Sequence, residues 1–390
     1  MSIAVIGAGI AGLAAAHQLA ELGERVTVFH GAAGASALYS GALDFDAWDR
    51  THELIAPSAE LARFVAALGI WELGSSATRV ATLEGNLRPA RGRDRALLDL
   101  EACAGKRVAV VDVERDDWDA RLLARSFAEH AWAKQSGTQF QPVRVRALQK
   151  GFERRISPYD FAAAQDAPAR LSFLLEALQQ SEAKPDAWLF GPWLGIERAL
   201  SVELAASLQA LVGETTSAPG GTAGARFERA RDRLLGEIAD LKRVVVARVE
   251  ASASGYRVES EDSEAREFDA VVLATGGVAA GGVALERSFE RRGGSGFRLS
   301  FAAPVALELG GEIVEGFSSL ANLDFVERGL DALLEVGIAV DERGAARGNT
   351  GLFVAGDAMA GRARAALAAA QSGIAAARRA FEFARSQGRA

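Results

Sequence analysis

The sequence predicts an α/β protein in which a discontinuous Rossmann-like domain carries an inserted α+β second domain. A glycine-rich turn at residues 7–12 follows a short apolar run and precedes an alanine-rich stretch with helical spacing. Two later apolar runs, at residues 270–274 and 351–355, also lead into turns that contain glycine. The chain has 390 residues, which is too long for one ordinary core.

The first thirty residues predict one βαβ unit. Residues 3–6 are typical of a buried parallel strand, residues 10–22 of a helix that ends at Gly23, and residues 25–29 of a second strand. The connecting turn reads Gly7-Ala8-Gly9-Ile10-Ala11-Gly12. Its first glycine permits the sharp turn, its second lets the backbone approach a pyrophosphate, and its third lets helix and strand pack closely. Because the helix N-terminus presents N–H groups to phosphates, the unit predicts a dinucleotide site.

The second strand ends in Phe29-His30, where a Rossmann domain usually has the Asp or Glu that binds the adenosine ribose. His30 can hydrogen-bond a ribose hydroxyl through one ring nitrogen. It can equally be an ordinary exposed residue at a strand end. Both interpretations stay open.

The middle of the chain predicts the second domain. Residues 31–48 are small and glycine-rich and predict an ordered loop, and residues 58–68 predict a helix. Beyond residue 75, β-like runs at 108–113, 143–148 and 187–190 alternate with charged helices, of which 119–132 is the clearest. The turn cluster at residues 218–224 indicates a domain boundary.

The remaining segments return to the first domain. They predict a helix at 225–241, strands at 243–249, 256–260, 270–274 and 351–355, and a helix at 363–384. The first domain is therefore predicted to comprise residues 1–74, 218–278 and 334–390. The second domain is predicted to comprise residues 75–217 and 279–333. Gly293-Gly294-Ser295-Gly296 follows no convincing strand and is interpreted as a loop.

Two turns far from the N-terminus complete the predicted cofactor site. Gly356-Asp357 follows a buried strand and precedes a long helix, so its carboxylate can accept hydrogen bonds from the ribityl hydroxyls of a flavin. Asp is also a preferred N-cap residue and needs no ligand, but the N-terminal motif favours the flavin. The strand end Ala274-Thr275-Gly276 permits close backbone approach to a cofactor. Val249 and Gly373 complete this predicted set of contacts.

The loop at residues 35–43 is small and hydroxylated. Ser36, Ala37, Ser40 and Gly41 are suited to lie beside an isoalloxazine ring, although the loop can also be a plain connector. Together with the three turns, this loop predicts FAD as the cofactor, with FMN as the alternative.

Composition excludes several other classes of function. The net charge of −7 leaves no excess of Lys and Arg for broad nucleic-acid binding. The single cysteine, Cys103, excludes an internal disulfide or a cysteine-ligated iron–sulfur cluster within the chain, and it predicts a small buried residue. The four histidines have no metal-ligand spacing, so no metal site is predicted. No signal peptide or spanning run is recognised, which predicts a cytoplasmic protein.

The motifs together resemble the FAD domain of the glutathione-reductase and fumarate-reductase-like flavoproteins. More narrowly, the chain resembles the B-type subunit family of the anaerobic glycerol-3-phosphate dehydrogenase. The matching segments run in order along most of the chain, and outside the FAD motifs each is loose. They are residues 36–44 (SALYSGALD), 82–89 (TLEGNLRP), 108–124 with Trp118-Asp119-Ala120, Gly213-Glu214 with Pro219 and Gly224-Ala225-Arg226-Phe227, and 273–277 (LATGG) with Gly281-Gly282.

The resemblance implies a flavin subunit of a membrane-associated complex that oxidises sn-glycerol 3-phosphate to dihydroxyacetone phosphate. It implies partner iron–sulfur subunits that pass electrons towards quinone, and therefore a hetero-oligomer that meets the inner face of the membrane only through partners. The family is usually described with FMN, whereas the adenine-side motif of this chain favours FAD. After Gly356-Asp357 the chain has Ala358-Met359-Ala360-Gly361-Arg362 in place of the family's glycine-rich run. It also has Ala370-Gln371-Ser372-Gly373 in place of a Cys-Gly stretch.

The leading hypothesis is a flavin-dependent dehydrogenase subunit. Arg88, Arg226 and Arg362 are weak candidates for binding a substrate phosphate or carboxylate, because a guanidinium group offers a fork to oxyanions. Each can also be a solvated surface arginine, and no catalytic residue is defined by spacing. The alternatives are a stand-alone FAD oxidoreductase that reduces an unsaturated or keto acid, and a structural subunit without chemistry.

Overall fold

A computed structural model of the chain describes residues 1–31, 33–45, 57–197, 200–289, 295–300, 302–314, 317–319, 335–362 and 364–387. Its helices are α1 (Ile10–Glu21), α2 (Ala59–Leu68), α3 (Ala120–Glu129), α4 (Ala131–Ser136), α5 (Pro158–Gln165), α6 (Pro168–Gln179), α7 (Leu200–Leu208), α8 (Thr222–Ile238) and α9 (Ala366–Gln387). Its strands are β1 (Ile3–Ile6), β2 (Val26–Phe29), β3 (Ala42–Leu43), β4 (Trp71–Ala81), β5 (Leu87–Asp94), β6 (Arg107–Asp112), β7 (Gln139–Arg144), β8 (Ala187–Phe190), β9 (Leu211–Glu214), β10 (Ala239–Lys242), β11 (Val246–Ser252), β12 (Gly255–Ser260), β13 (Ala265–Phe268), β14 (Ala270–Leu273), β15 (Ala284–Phe289), β16 (Ser295–Ser300), β17 (Leu307–Leu309), β18 (Glu312–Val314), β19 (Phe317–Ser319), β20 (Gly337–Ile338) and β21 (Leu352–Val354).

A five-stranded parallel sheet organises the chain, with the strand order β10-β2-β1-β14-β21. Strands β1 and β14 are buried on both faces, which explains why they read as continuous apolar runs. The chain continues from β1 to β2 and β10 on one side and to β14 and β21 on the other. This reversal makes the carboxyl end of β1 the switch point at which such sheets bind ligands. The Rossmann-like α/β fold is therefore confirmed.

Helices cover one face of this sheet and antiparallel strands cover the other. Helices α1, α2, α8 and α9 share one core with the sheet, in which Leu13, Phe64 and Phe227 are fully buried. On the opposite face, the antiparallel sheet β11-β12-β13 packs with residues such as Leu307 and Ile338. The sheet is thus closed on both faces, and its carboxyl edge stays accessible.

A second core lies between residues 81 and 212. It surrounds the parallel sheet β7-β6-β8-β9, and it includes Trp118 and Trp193, whose rings meet edge to face at 5.0 Å. Strands β3, β5 and β4 form a separate antiparallel sheet, in which β3 pairs with β5. The domain boundaries given above stay a prediction. Within the described residues, no helix is both long and apolar enough to cross a bilayer.

The predicted bounds of one helix are wrong at both ends, and its last predicted residues belong to a strand. The helix predicted at 225–241 spans Thr222–Ile238, and Ala239–Lys242 forms β10, which pairs with β2. Ala, Leu and Lys favour helices locally, but here the backbone groups bond to the edge of the parallel sheet. The strand predicted at 243–249 accordingly begins later, at Val246.

Three other predicted elements shift or divide. The strand predicted at 143–148 spans Gln139–Arg144, because the ladder with β6 sets its register. The helix predicted at 119–132 ends at Glu129, since His130 is extended and then caps α4. Ser295 and Gly296, expected in a loop, instead begin β16, while Gly293 and Gly294 lie outside the described residues.

Candidate nucleotide-binding site

A cavity of about 600 Å³ lies at the carboxyl edge of the parallel sheet. This volume falls in the range of small-molecule and cofactor sites, about 300–1,000 Å³. The cavity runs past the ends of β2, β1, β14 and β21. Most of the predicted site residues line it: Gly7, Ala8, Gly9, Ile10, Ala11, His30, Ser36, Ser40, Arg88, Val249, Ala274, Thr275, Gly276, Gly356 and Asp357.

The glycine turn has three distinct steric roles. Gly7 has φ +102°, and a Cβ atom there would lie 2.2 Å from the carbonyl oxygen of Ala274. A Cβ atom on Gly12 would lie 1.8 Å from the carbonyl oxygen of Gly7, so Gly12 serves helix–strand packing and does not line the cavity. A Cβ atom on Gly9 would approach only the side chain of Ser36, at 2.9 Å. Gly9 therefore leaves open the groove that a pyrophosphate needs.

The loop before β3 docks on the start of α1. The Oγ atom of Ser36 accepts a hydrogen bond from the Ile10 N–H group at 2.9 Å, which fixes the loop against the glycine turn. Ala37 and Gly41, predicted as cofactor contacts, do not line the cavity. The Ala37 backbone packs against Gly224 of α8. The Gly41 carbonyl oxygen accepts from the Tyr39 hydroxyl at 3.0 Å.

Asp357 and Arg364 form the polar end of the cavity beside β21. The Arg364 guanidinium donates to the carbonyl oxygens of Asp357 and Val336, and it lies 3.9 Å from the Asp357 carboxylate. Burial raises the pKa of Asp357, and the Arg364 charge opposes that shift. The Gly356 N–H group donates to the Ser372 hydroxyl at 2.8 Å. A carboxylate and a guanidinium thus face the cavity together, next to the start of α9.

Two of the three arginines predicted as anion ligands lie elsewhere. Arg362 is exposed and does not line the cavity, whereas Arg364 does. Arg226 is buried and bonds to Asp94 and Glu214, so it is part of the interior and not a ligand site. Gly373, predicted as a cofactor contact, packs on the backbone of Ala11, where a Cβ atom would lie 2.0 Å from the carbonyl oxygen.

Arg88 does reach the cavity. Its Nη1 atom lies 2.9 Å from the Asp44 carboxylate, and both side chains line the cavity wall. Arg88 comes from β5 and Asp44 follows β3, so neighbouring strands of the antiparallel sheet deliver this ion pair. The pair offers one cationic and one anionic group for a polar ligand.

Three charged residues of the cavity were not identified as site residues from the sequence. Arg231 of α8 faces the end beside β2, Arg364 the end beside β21, and Asp44 the wall beside Arg88. Arg364 lies two residues beyond Arg362, and only the observed start of α9 shows which of the two turns inward. Among the described residues, no group of three or more His, Cys, Asp or Glu is placed to hold a metal ion.

The residues that line the cavity fit a dinucleotide. Gly9 leaves open a groove in front of a helix start, where backbone N–H groups and the helix dipole favour a pyrophosphate. The groove continues to polar side chains on both sides, His30 towards β2 and Asp357 towards β21. The parallel sheet, its switch point and the glycine turn therefore define a dinucleotide-binding domain of the Rossmann type.

The comparison with sequence families agrees with this class. A family described as the NAD(P)-binding Rossmann-like domain matches residues 5–52. These residues hold the end of β1, the glycine turn, α1 and β2. No curated protein matches the chain.

Several solved structures match the chain at low sequence identity. Glycine oxidase from Geobacillus kaustophilus is 14% identical, with 97% of this chain and 94% of that chain covered and a TM-score of 0.34. A 3-ketosteroid delta1-dehydrogenase from Sterolibacterium denitrificans is 12% identical, with coverages of 98% and 99% and a TM-score of 0.37. Iminodiacetate oxidase from Chelativorans sp. BNC1 is 12% identical, with coverages of 95% and 93% and a TM-score of 0.32. Likeness at this level says nothing about the substrate of this chain.

Proposed function

We propose that the chain is an FAD-dependent oxidoreductase. The observation that carries this proposal is a single cavity that crosses the whole carboxyl edge of the sheet, from His30 beside β2 to Asp357 beside β21. Three strand spacings separate β2 from β21, about 14 Å at the usual spacing between strands. The glycine turn after β1 lies between these two ends, so a dinucleotide such as FAD can place its pyrophosphate there and extend a nucleoside towards each end.

The side chains present suit distinct parts of FAD. The start of α1 and the open groove at Gly9 suit the pyrophosphate. The Asp357 carboxylate can accept hydrogen bonds from the ribityl hydroxyls, and Arg364 holds the Asp357 backbone in place. When bound, the flavin would supply hydride or electron acceptance. The chain would orient it and, by enclosing it between the loop at 33–44 and the turns after β14 and β21, limit its contact with water.

The finer proposal follows the resemblance to the B-type subunit of the anaerobic glycerol-3-phosphate dehydrogenase. In this proposal Arg88 binds the phosphate of the substrate, because its guanidinium faces the cavity. The chain has one cysteine, Cys103, which is buried and whose pKa burial raises to about 12. Electrons would therefore leave through partner iron–sulfur subunits. In such a complex the chain would meet the membrane only through those partners.

The test begins with the flavin itself. The purified chain should release FAD on heating, as identified by chromatography against FAD and FMN standards. Protein that lacks flavin absorbance, and that takes up neither FAD nor FMN after unfolding and refolding, would overturn the proposal. Release of FMN alone would overturn the FAD assignment while leaving a flavoprotein.

Anaerobic reduction then separates the functional alternatives. If the finer proposal is right, glycerol 3-phosphate bleaches the bound flavin, and turnover requires co-purified partner chains. Steady turnover of the isolated chain with an artificial donor and a keto acid would favour the stand-alone enzyme. A bound flavin that no substrate reduces or reoxidises would favour a structural subunit.

A further inference from the structure

Among the described residues, no carboxylate lines the end of the cavity beside β2 and β10, where Rossmann domains use one for the adenosine ribose. The described residues that line the cavity include two carboxylates, Asp44 and Asp357. Asp44 follows β3 and Asp357 follows β21, so neither lies at the end of β2. The position after β2 is His30. Some other group must hold the ribose hydroxyls if a dinucleotide binds here.

A buried arginine faces this same end. Arg231 lies on α8, is 5% exposed and lines the cavity. Its Nε atom donates to the Asp232 carboxylate at 2.9 Å, and its Nη1 atom lies 3.6 Å from Glu228. These contacts hold the guanidinium in one orientation. A guanidinium presents five donors, so contacts to two carboxylates leave others for a ligand.

His30 is fixed beside this guanidinium. Its backbone N–H group donates to the Lys242 carbonyl oxygen at 2.8 Å, which ties the end of β2 to β10. The imidazole lines the cavity and is partly buried. Burial lowers the pKa of His30, the charges of Arg231 and Arg243 lower it further, and Asp232 opposes them. The ring is therefore neutral at pH 7 and keeps one nitrogen as a hydrogen-bond acceptor.

The residues around this pair suit an adenosine. Val244, Val245, Val246 and Val249 line the same end and supply an apolar wall for a purine ring. A Cβ atom on Gly31 would lie 2.3 Å from the Val245 side chain, so the chain after β2 closes tightly on that wall. Apolar surface with a few placed polar groups is the usual character of a cofactor pocket.

We propose that Arg231 and His30 bind the adenosine ribose of the dinucleotide in place of a strand-end carboxylate. Arg231 donates to a ribose hydroxyl oxygen, and the neutral His30 ring accepts from a ribose hydroxyl. This assignment rests on the proposed function, since it concerns the cofactor of the same cavity. It differs from the usual arrangement because the ribose meets a cation and a neutral ring.

FAD and FMN together provide a direct test, because FMN lacks the adenosine half. Apoprotein is titrated with FAD and, separately, with FMN, by flavin fluorescence. Arg231→Gln should weaken FAD binding about 10- to 100-fold, the loss typical of a hydrogen bond to a charged group. FMN binding should stay within about twofold of the native protein. Arg229→Gln, on the same helix at an exposed position, is the matched control and should change neither.

A rescue variant separates a ribose contact from a loss of structure. In the Arg231→Gln background, His30→Glu restores the carboxylate that other Rossmann domains carry. The double variant should regain most of the FAD affinity that Arg231→Gln loses, and its FMN affinity should equal that of the native protein. Circular dichroism and the thermal midpoint establish that each variant is folded.

Three outcomes would contradict the ribose assignment, and they differ in what they imply for the proposed function. If the native protein binds FAD and Arg231→Gln matches Arg229→Gln, the ribose assignment is overturned and the flavoprotein proposal stands. If Arg231→Gln weakens FAD and FMN equally, Arg231 acts on the shared part of the cofactor or on the fold, which also overturns the assignment. If the native protein binds neither flavin, the proposed function fails and the ribose assignment fails with it.

Discussion

Replacing Arg226 by methionine should destabilise the protein strongly, although the residue does not line the cavity. Arg226 lies on α8 and is 3% exposed. Its Nε atom lies 3.2 Å from the Asp94 carboxylate and its Nη2 atom lies 2.7 Å from the Glu214 carboxylate. Its third contact is the Gly195 carbonyl oxygen at 2.9 Å. One guanidinium therefore joins a helix of the nucleotide-binding core to segments near the second core.

The magnitude follows from what the substitution leaves behind. Asp94 and Glu214 are 1% and 0% exposed, so Arg226→Met leaves two carboxylates buried without their counterion. Removing one partner of a buried ion pair costs about 3–5 kcal/mol of unfolding free energy. For a chain of 390 residues, that loss lowers the thermal midpoint by roughly 4–6 °C. Arg229→Met removes an exposed pair with Glu197 and should cost less than about 1 kcal/mol.

The pH dependence of this loss gives an independent check. Burial raises the pKa of Glu214 to about 7, and the Arg226 charge opposes the shift. A carboxyl group whose pKa is raised by folding contributes stability that is present below its ordinary pKa of 4.5 and is lost as the pH rises through about 7. Without Arg226 the raised pKa moves higher still. The gap between Arg226→Met and the native protein should therefore widen as the pH rises.

Thermal and urea unfolding of the apoprotein across this pH range measure both effects. A midpoint for Arg226→Met within about 1 °C of the midpoint for Arg229→Met would refute the reasoning. A gap that narrows with rising pH would show that the carboxylates are not the source of the loss.

Three further predictions concern the cavity. Gly7→Ala should lower the unfolding free energy by about 2 kcal/mol or more, since its Cβ atom would lie 2.2 Å from the Ala274 carbonyl oxygen. Gly9→Ala should be more stable than Gly7→Ala but should lose flavin affinity. Urea unfolding that showed Gly7→Ala to be the more stable variant would contradict this prediction. Arg88→Gln should raise the KM for an anionic substrate about tenfold or more while FAD affinity stays unchanged, as checked by steady-state kinetics and flavin titration. FAD affinity of the native protein should fall at acidic pH, below the His30 pKa that burial lowers from its ordinary value, because the neutral ring becomes protonated there. His30→Gln should remove that dependence in the same titration.

The backbone of the site is predictable from sequence because its geometry is local. A strand, a glycine turn and a helix within residues 3–21 specify the groove without help from distant residues. The two later turns at Thr275 and Gly356 also follow short buried strands, and both line the cavity. Sequence patterns detect such features since each depends on a few consecutive residues.

The side-chain part of the site is less predictable because it depends on helix packing. Arg226, Arg229, Arg231 and Arg233 all lie on α8, and their spacing alone does not show which one is buried with carboxylates and which one faces the cavity. Asp94 is 132 residues from Arg226 in sequence, so a local sequence pattern cannot predict the ion pair between them. Strand β10 is not predicted from the sequence either, because only its pairing with β2 distinguishes it from a continued helix.

Because the backbone and the side chains of the site have different roles, the two ends of the ligand must be tested separately. The groove at Gly9 and the start of α1 suits any pyrophosphate, so it does not separate FAD from other dinucleotides. In the proposed arrangement, selectivity comes from side chains on separate elements that line the cavity: Arg231 on α8 for the adenosine, Asp357 beside β21 for the flavin, and Arg88 on β5 for the substrate. A variant at one of these residues should therefore change the affinity for one part of the ligand only. Asp357→Asn should lower FAD and FMN affinity by the same factor, because both flavins carry the ribityl hydroxyls. If Arg231→Gln also lowered both affinities by one factor, the cavity would not hold a dinucleotide in the direction proposed.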